Sequence, residues 1–212
     1  MRSMIVVDVE TTGTDPSLHS IVSIGAVEFE HPERQFYREC RLFDGAQTEA
    51  DALAVNGFTL PQITDAAKPT LEQAIGEFIA WCKAAGERTL AGHNTSFDRD
   101  FLQSSAERYN LAWRFGNRVL DIHTMAWAHM VRRGIEPPTR GGRSAISFDT
   151  ALQYVGMPEE PRPHHGLTGA KLEAEVFSRL LHGRPLLSEF ERYPLPAHVS
   201  LSTPVTGQQP LF

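Results

Sequence analysis

Residues Met4 to Val9 form a short apolar run that takes in Asp8 and is followed at once by Glu10. A run of this length and composition reads as a β-strand. Side chains two apart on a strand share a face, so the carboxylates of Asp8 and Glu10 look at one place. Crowded carboxylates repel each other unless a cation neutralises them, and hard divalent ions such as Mg²⁺ take oxygen ligands of this kind. The spacing therefore points to a divalent-metal site at the end of the first strand. A solvated strand end with two unrelated acids is the competing reading of these two residues alone.

Two further runs, Ile21 to Phe29 and Gln35 to Leu42, read as strands, with turn signals at Gly13, Asp15 and Pro16 and again at Pro32. Three strands joined by two short reversals form an antiparallel meander. Thr70 then caps a helix over Leu71 to Ala85, with Ile75, Phe78, Ile79 and Cys82 at helical spacing, and Gly86 ends it. Arg88 to Ala91 reads as a short central strand, and Ser96 as the cap of a helix running to about Tyr109. Further helices fit Ile122 to Val131, with Asp121 as N-cap, Phe148 to Tyr154, and Leu167 to Leu181. This order predicts an α/β fold: a mixed sheet, made of the three-strand antiparallel meander plus further strands, flanked by helices.

A chain of 212 residues with 41% hydrophobic side chains can bury a core without disulfides or a structural metal. Cys40 and Cys82 lie at no metal-ligand spacing and read as buried apolar residues. The apolar run at the N-terminus meets Asp8 too soon for a signal peptide or membrane span, which predicts a cytoplasmic protein. The net charge of −6 argues against gripping nucleic acid through bulk positive charge, though not against meeting it locally. Between 132 and 143, Arg132, Arg133, Arg140 and Arg143 stand against only Glu136. That loop is either solvated or an arm that contacts phosphates beside an acidic site. From Gly183 onward prolines accumulate, and no charged residue follows Arg192. The composition divides the chain into a domain over 1–182 and a tail over 183–212.

The stretch Asp8-Val9-Glu10-Thr11-Thr12-Gly13 resembles the D-x-E-T-T-G first motif of the DEDD exonucleases, and His93-Asn94-Thr95-Ser96-Phe97-Asp98 opens a stretch similar to their second motif. The resemblance implies a ribonuclease-H-like fold and 3′→5′ release of nucleoside monophosphates by two-metal hydrolysis, as in proofreading exonucleases. It makes Asp8, Glu10 and Asp98 ligands of two Mg²⁺ or Mn²⁺ ions, with Thr11 and Thr12 meeting the terminal nucleotide. Asn94 is a candidate for substrate contact, with turn formation as its simpler role, and Arg140 and Arg143 are candidates for phosphate contact.

The third motif of the DEDDh branch, H-x-A-x-x-D-A, is matched in frame by His164 to Ala170, but Gly169 stands where the last acid belongs. His164 falls at the general base, with His165 as the fallback. Glu173, one helical turn after Gly169, leans back toward the helix N-terminus and is the candidate replacement ligand. Glu175, rotated away from it, is expected to be solvated. Finally, Gln208-Gln209-Pro210-Leu211-Phe212 resembles the Q-x-x-L-F peptide of bacterial replication and repair proteins that docks on the sliding clamp, with Gln208, Leu211 and Phe212 as its anchors. Three functions follow: a DNA 3′→5′ exonuclease, an RNA-directed one, or a catalytically weakened adaptor that binds nucleic acid and clamp.

Overall fold

The computed structural model describes residues 4–86 and 89–200. Along the chain run β1 (Ile5–Thr11), β2 (Ile21–Glu28), β3 (Gln35–Glu39), α1 (Ala50–Asn56), α2 (Leu60–Ile63), α3 (Leu71–Ala85), β4 (Leu90–Gly92) and α4 (Thr95–Arg108). There follow β5 (Leu120–Asp121), α5 (Ile122–Arg132), β6 (Thr139–Arg140), β7 (Arg143–Ser144), α6 (Phe148–Tyr154) and α7 (Gly166–His182). The main sheet has the order β3-β2-β1-β4-β5. β1 to β3 are the expected antiparallel meander, while β4 and β5 add in parallel on the other side of β1.

β1 is thus central, and its pleat sorts its residues between two layers. Ile5, Val7 and Val9 pack with α3 and α4 residues such as Phe78 and Phe101. Met4 and Val6 pack with α7 residues such as Ala174 and Phe177. Asp8 and Glu10, in phase with Val6, consequently face the α7 layer. There α7 starts almost in contact with the strands: Asp8 pairs with Gly25 across the ladder, and a Cβ on Gly25 would lie 2.1 Å from the carbonyl carbon of Gly166. Only the pairing of two glycines lets the helix begin this close to the acids.

Local signals set most of the helix ends. Thr70 accepts from the Gln73 N–H and Gln73 reaches back to the Thr70 N–H, a reciprocal cap, and Gly86 closes α3 at φ 75°. Asp121 caps α5 by accepting from the His123 N–H at 2.9 Å. The expected cap at Ser96 is one point of difference. α4 starts earlier, at Thr95, after Asn94 in the left-handed region at φ 56°, because the Thr95 N–H is already taken by Asp121 Oδ2 at 3.1 Å.

The helices α1 and α2 carry no periodic apolar signal, and each buries a single residue, Asn56 and Ile63. The basic loop contains a small hairpin, β6 with β7, turned by Gly141 and Gly142, both at positive φ. The segment after Gly183, expected as tail, is laid along α7 as far as it is described. Val199 is fully buried, and Leu186, Phe190, Tyr193 and Leu195 pack on the same core. This covering overturns the expectation for Glu175, which is fully buried. It binds the equally buried Arg179 at 2.6 Å and accepts from the Leu186 and Leu187 N–H groups. Arg179 in turn donates to the carbonyls of Val155, Phe190 and Tyr193. Among the described residues no helix is long and apolar enough to cross a membrane.

Candidate active site

A cleft of about 310 Å³ opens at the C-terminal end of β1. Asp8, Glu10 and Thr11 line it from β1, Val55 and Asn56 from α1, Glu173 from α7, and His164 and Glu160 from the loop before α7. His93, Phe97 and Phe148 complete the wall. Asp98 lies just beneath the cleft floor, 4% exposed, its Oδ1 accepting from the Val9 N–H at 3.0 Å. That bond, made from the first turn of α4, where the helix dipole favours a negative charge, brings the second-motif acid alongside β1.

Gly169 faces Asp8 directly. A Cβ there would lie 1.9 Å from Asp8 Oδ2 and 3.1 Å from Glu160 Oε1, so the position lacks both an acid and the room for one while Asp8 stands where it does. Glu173 reaches in from one turn onward, as its helical spacing predicts. Its Oε1 accepts from the His93 N–H at 2.8 Å, joining α7 to the turn between β4 and α4. Its other oxygen, Oε2, is buried with no hydrogen-bond partner among the described residues, and so is Glu160 Oε1.

Five carboxylates buried in and beneath this cleft hold their protons tightly. Burial, then Glu10, Asp98 and Glu160, push Asp8 well above the usual carboxylate range. Burial and Glu160 lift Glu10 to about 7. Burial lifts Asp98 to about 8 against the pull of its Val9 hydrogen bond. Glu173 is pushed up by burial, Asp8 and Asp98, and Glu160 rises to about 7 through burial and Asp149. Burial and Arg162 lower His164, which favours its neutral form near pH 7.

The histidine pair separates cleanly. His164 lines the cleft, with Nε2 3.7 Å from Glu160 Oε2. His165 turns to β3 and stacks on Tyr37 with ring centroids 4.4 Å apart. Of the threonines, Thr11 lines the cleft with its hydroxyl committed to the Gly13 carbonyl at 2.7 Å. Thr12 is withdrawn. It is fully buried, its hydroxyl donates to the Gln47 carbonyl and accepts from the Ser20 N–H, and its N–H and carbonyl bond Ser20 and Glu49. Each polar group of Thr12 is thus already bonded within the fold.

Asn94 is exposed and outside the cleft wall, serving the turn as a residue that tolerates the left-handed region. Arg140 and Arg143 are exposed on the β6-β7 hairpin and do not line the cleft. The hairpin is nevertheless moored: Ser144 Oγ lies 2.8 Å from His123 Nε2 on α5, and Phe148, four residues after the hairpin, lines the cleft. Gln208, Leu211 and Phe212 lie outside the described residues. Glu160, Asn56 and Phe148 carry no motif in the sequence. The single hint for Glu160 is an acid four residues before a histidine.

The donor set is all oxygen and negatively charged, which suits a hard divalent cation. The two buried oxygens without partners are what such an ion would satisfy. Among the described residues no three His, Cys, Asp or Glu side chains are already closed into a metal-holding cluster.

The chain is similar to known nucleases in sequence and in fold. The model of the Rv2179c-like 3′-5′ exoribonuclease domain family matches residues 3–181. The 3′-5′ DNA exonuclease Cap18 of Escherichia coli is 29% identical over 179 residues, covering 81% of this chain and 87% of its own length. The PolC-type DNA polymerase III of Thermotoga maritima is 24% identical over 196 residues, which is 90% of this chain but 13% of that much longer protein. Among solved structures, the nuclease domain of 3′hExo, a DEDDh family member bound to rAMP, superimposes with a TM-score of 0.67 at 21% identity. That superposition covers 87% of this chain and 94% of that one. The expected ribonuclease-H-like sheet is therefore the observed one.

Proposed function

The chain belongs to the Rv2179c-like 3′-5′ exoribonuclease domain family, and from that premise we propose that it is a two-metal 3′→5′ exonuclease that trims single-stranded DNA in replication or repair. The observation that carries this reading is the convergence of Asp8, Glu10 and Glu173 on one cleft, with Asp98 beneath its floor, a partnerless buried carboxylate oxygen, and His164 at its edge. Those four acids would hold two Mg²⁺ or Mn²⁺ ions. When bound, the ions supply an activated water and charge stabilisation for the leaving 3′-oxygen.

The remaining work falls to the chain's own groups. His164, kept neutral, takes a proton from the attacking water. Phe97, Phe148 and Val55 offer apolar surface for the terminal base and sugar. Arg140 and Arg143, on the moored hairpin, meet phosphates further along the strand and offset the acidic surroundings. Two unpaired buried cysteines, Cys40 and Cys82, accord with a reducing cytoplasm. Residues Gln208, Leu211 and Phe212 would tether the enzyme to a sliding clamp, and a chain ending before Gln208 should then lose clamp binding while keeping its nuclease rate.

A second reading, RNA as the substrate, is favoured by the name of the matching family. The deciding experiment incubates 5′-labelled single-stranded DNA and RNA of matched sequence with Mg²⁺, Mn²⁺ or EDTA. Metal-dependent shortening from the 3′ end, lost in Asp8→Ala, is expected, and the faster polymer identifies the substrate. Tight oligonucleotide binding with no cleavage under either metal overturns the enzyme in favour of a binding adaptor.

A further inference from the structure

We infer that Glu160 is a fifth metal-holding carboxylate, beside Glu173, and fills the space that an acid side chain at position 169 would take. The inference rests on the proposed divalent-metal site and names a ligand that none of the sequence motifs contains. The third motif has lost its acid to Gly169, yet the space beside Asp8 still holds a carboxylate, because Glu160 Oε1 comes within 3.1 Å of where a Cβ on residue 169 would begin. It enters from the loop between α6 and α7, whereas Glu173 comes from α7 itself, one turn after Gly169.

The loop is held for this purpose. The Glu160 N–H donates to Asp149 Oδ1 at 3.2 Å, and the His164 N–H donates to the Val55 carbonyl at 3.0 Å, which fixes both ends of the segment 160–164. The Glu160 side chain is 9% exposed, and its Oε1 has no hydrogen-bond partner among the described residues. Its Oε2 faces His164 Nε2 at 3.7 Å, too long for a firm bond. Burying a carboxylate oxygen with no donor is costly, and the acids around Glu160 add to that cost, with Arg162 offsetting it only in part. A divalent cation removes both objections at once. It also explains why the chain has glycine at 169: any side chain there would displace Asp8 and crowd Glu160.

The test is calorimetric titration of Mn²⁺ into the metal-free full chain, with Glu160→Gln, Glu160→Asp and, as a control on the exposed neighbour, Glu159→Gln. Glu160→Gln should weaken Mn²⁺ binding by at least about tenfold, with the metal-free melting temperature unchanged or raised, and Glu159→Gln should bind as wild type does. Should Glu160→Gln fail to fold, Glu160→Asp, which keeps the charge and withdraws the oxygens by one methylene, carries the same expectation. Wild-type uptake of Mn²⁺ together with unaltered affinity in the folded Glu160 variant overturns the assignment and leaves the exonuclease reading intact. A wild type that takes up no Mn²⁺ overturns both.

Discussion

The acid cluster makes a signed prediction about stability without metal. Burial and Glu160 carry the Glu10 carboxyl from 4.5 to about 7. An acid whose folded-state value is raised binds its proton more tightly in the folded chain, so its stabilising effect is complete below 4.5 and is lost as the pH rises through 7. At pH 8 the ionised Glu10 then costs the folded state up to about 3 kcal/mol, and at pH 5 less than about 1 kcal/mol. Glu10→Gln keeps the shape and removes the charge. Melted in EDTA, it should gain stability at pH 8, by several degrees at about 2–4 °C per kcal/mol for a chain of this size, and gain little at pH 5. Saturating Mn²⁺ should reverse the order at pH 8, because the wild type gains more from the ion than the variant does. A gain of equal size at both pH values, or a loss at pH 8, would refute the account of a like-charged, ion-awaiting cluster.

Other perturbations follow from the same geometry. Gly169→Ala places a methyl group on Asp8 Oδ2, so turnover should fall by about 100-fold or more. Its melting temperature should change little, because the overpacking and the better helix former oppose each other; Gly169→Asp should behave alike, and increased activity in it would show that the site is degenerate and not rearranged. His164→Ala should lower kcat by about 10²–10⁴-fold, whereas His165→Ala, which touches Tyr37 and not the cleft, should leave it within a few-fold; equal losses would count against His164 as the base. Glu173→Ala should cripple metal-dependent turnover, and full activity in it would remove Glu173 from the ligand set. Arg140→Ala with Arg143→Ala should raise KM and lower the salt dependence of binding by roughly one unit of slope for each phosphate that is no longer neutralised, with kcat at saturation little changed.

Where local rules govern, the sequence alone settles the structure. The period of two on β1 puts Asp8 and Glu10 on one face whatever surrounds them. The reciprocal cap of Thr70 and Gln73, the left-handed Gly86 and the Asp121 cap depend on neighbours within a few positions, and α3 accordingly runs from Leu71 to Ala85 as its periodicity predicts. The one-turn relation of Glu173 to Gly169 is equally local.

Contacts between remote segments obey no such rule. Which of His164 and His165 enters the cleft depends on Tyr37 from β3 lying ready to stack with one of them. Glu175 has the spacing of a solvated helix residue, yet the segment after Gly183 folds over it and supplies the N–H groups of Leu186 and Leu187. Thr12 stands inside a motif but is used up by Ser20, Gln47 and Glu49. Glu160, in a proline-bounded loop with no periodicity, becomes part of the acid cluster only because α7 starts flush on Gly25 and presents Gly169 to Asp8. The sequence by itself determined the strand that carries the acids and the helix that leans over it. Tertiary packing decided which charges share that small volume, because burial and mutual repulsion exist only once distant segments have met.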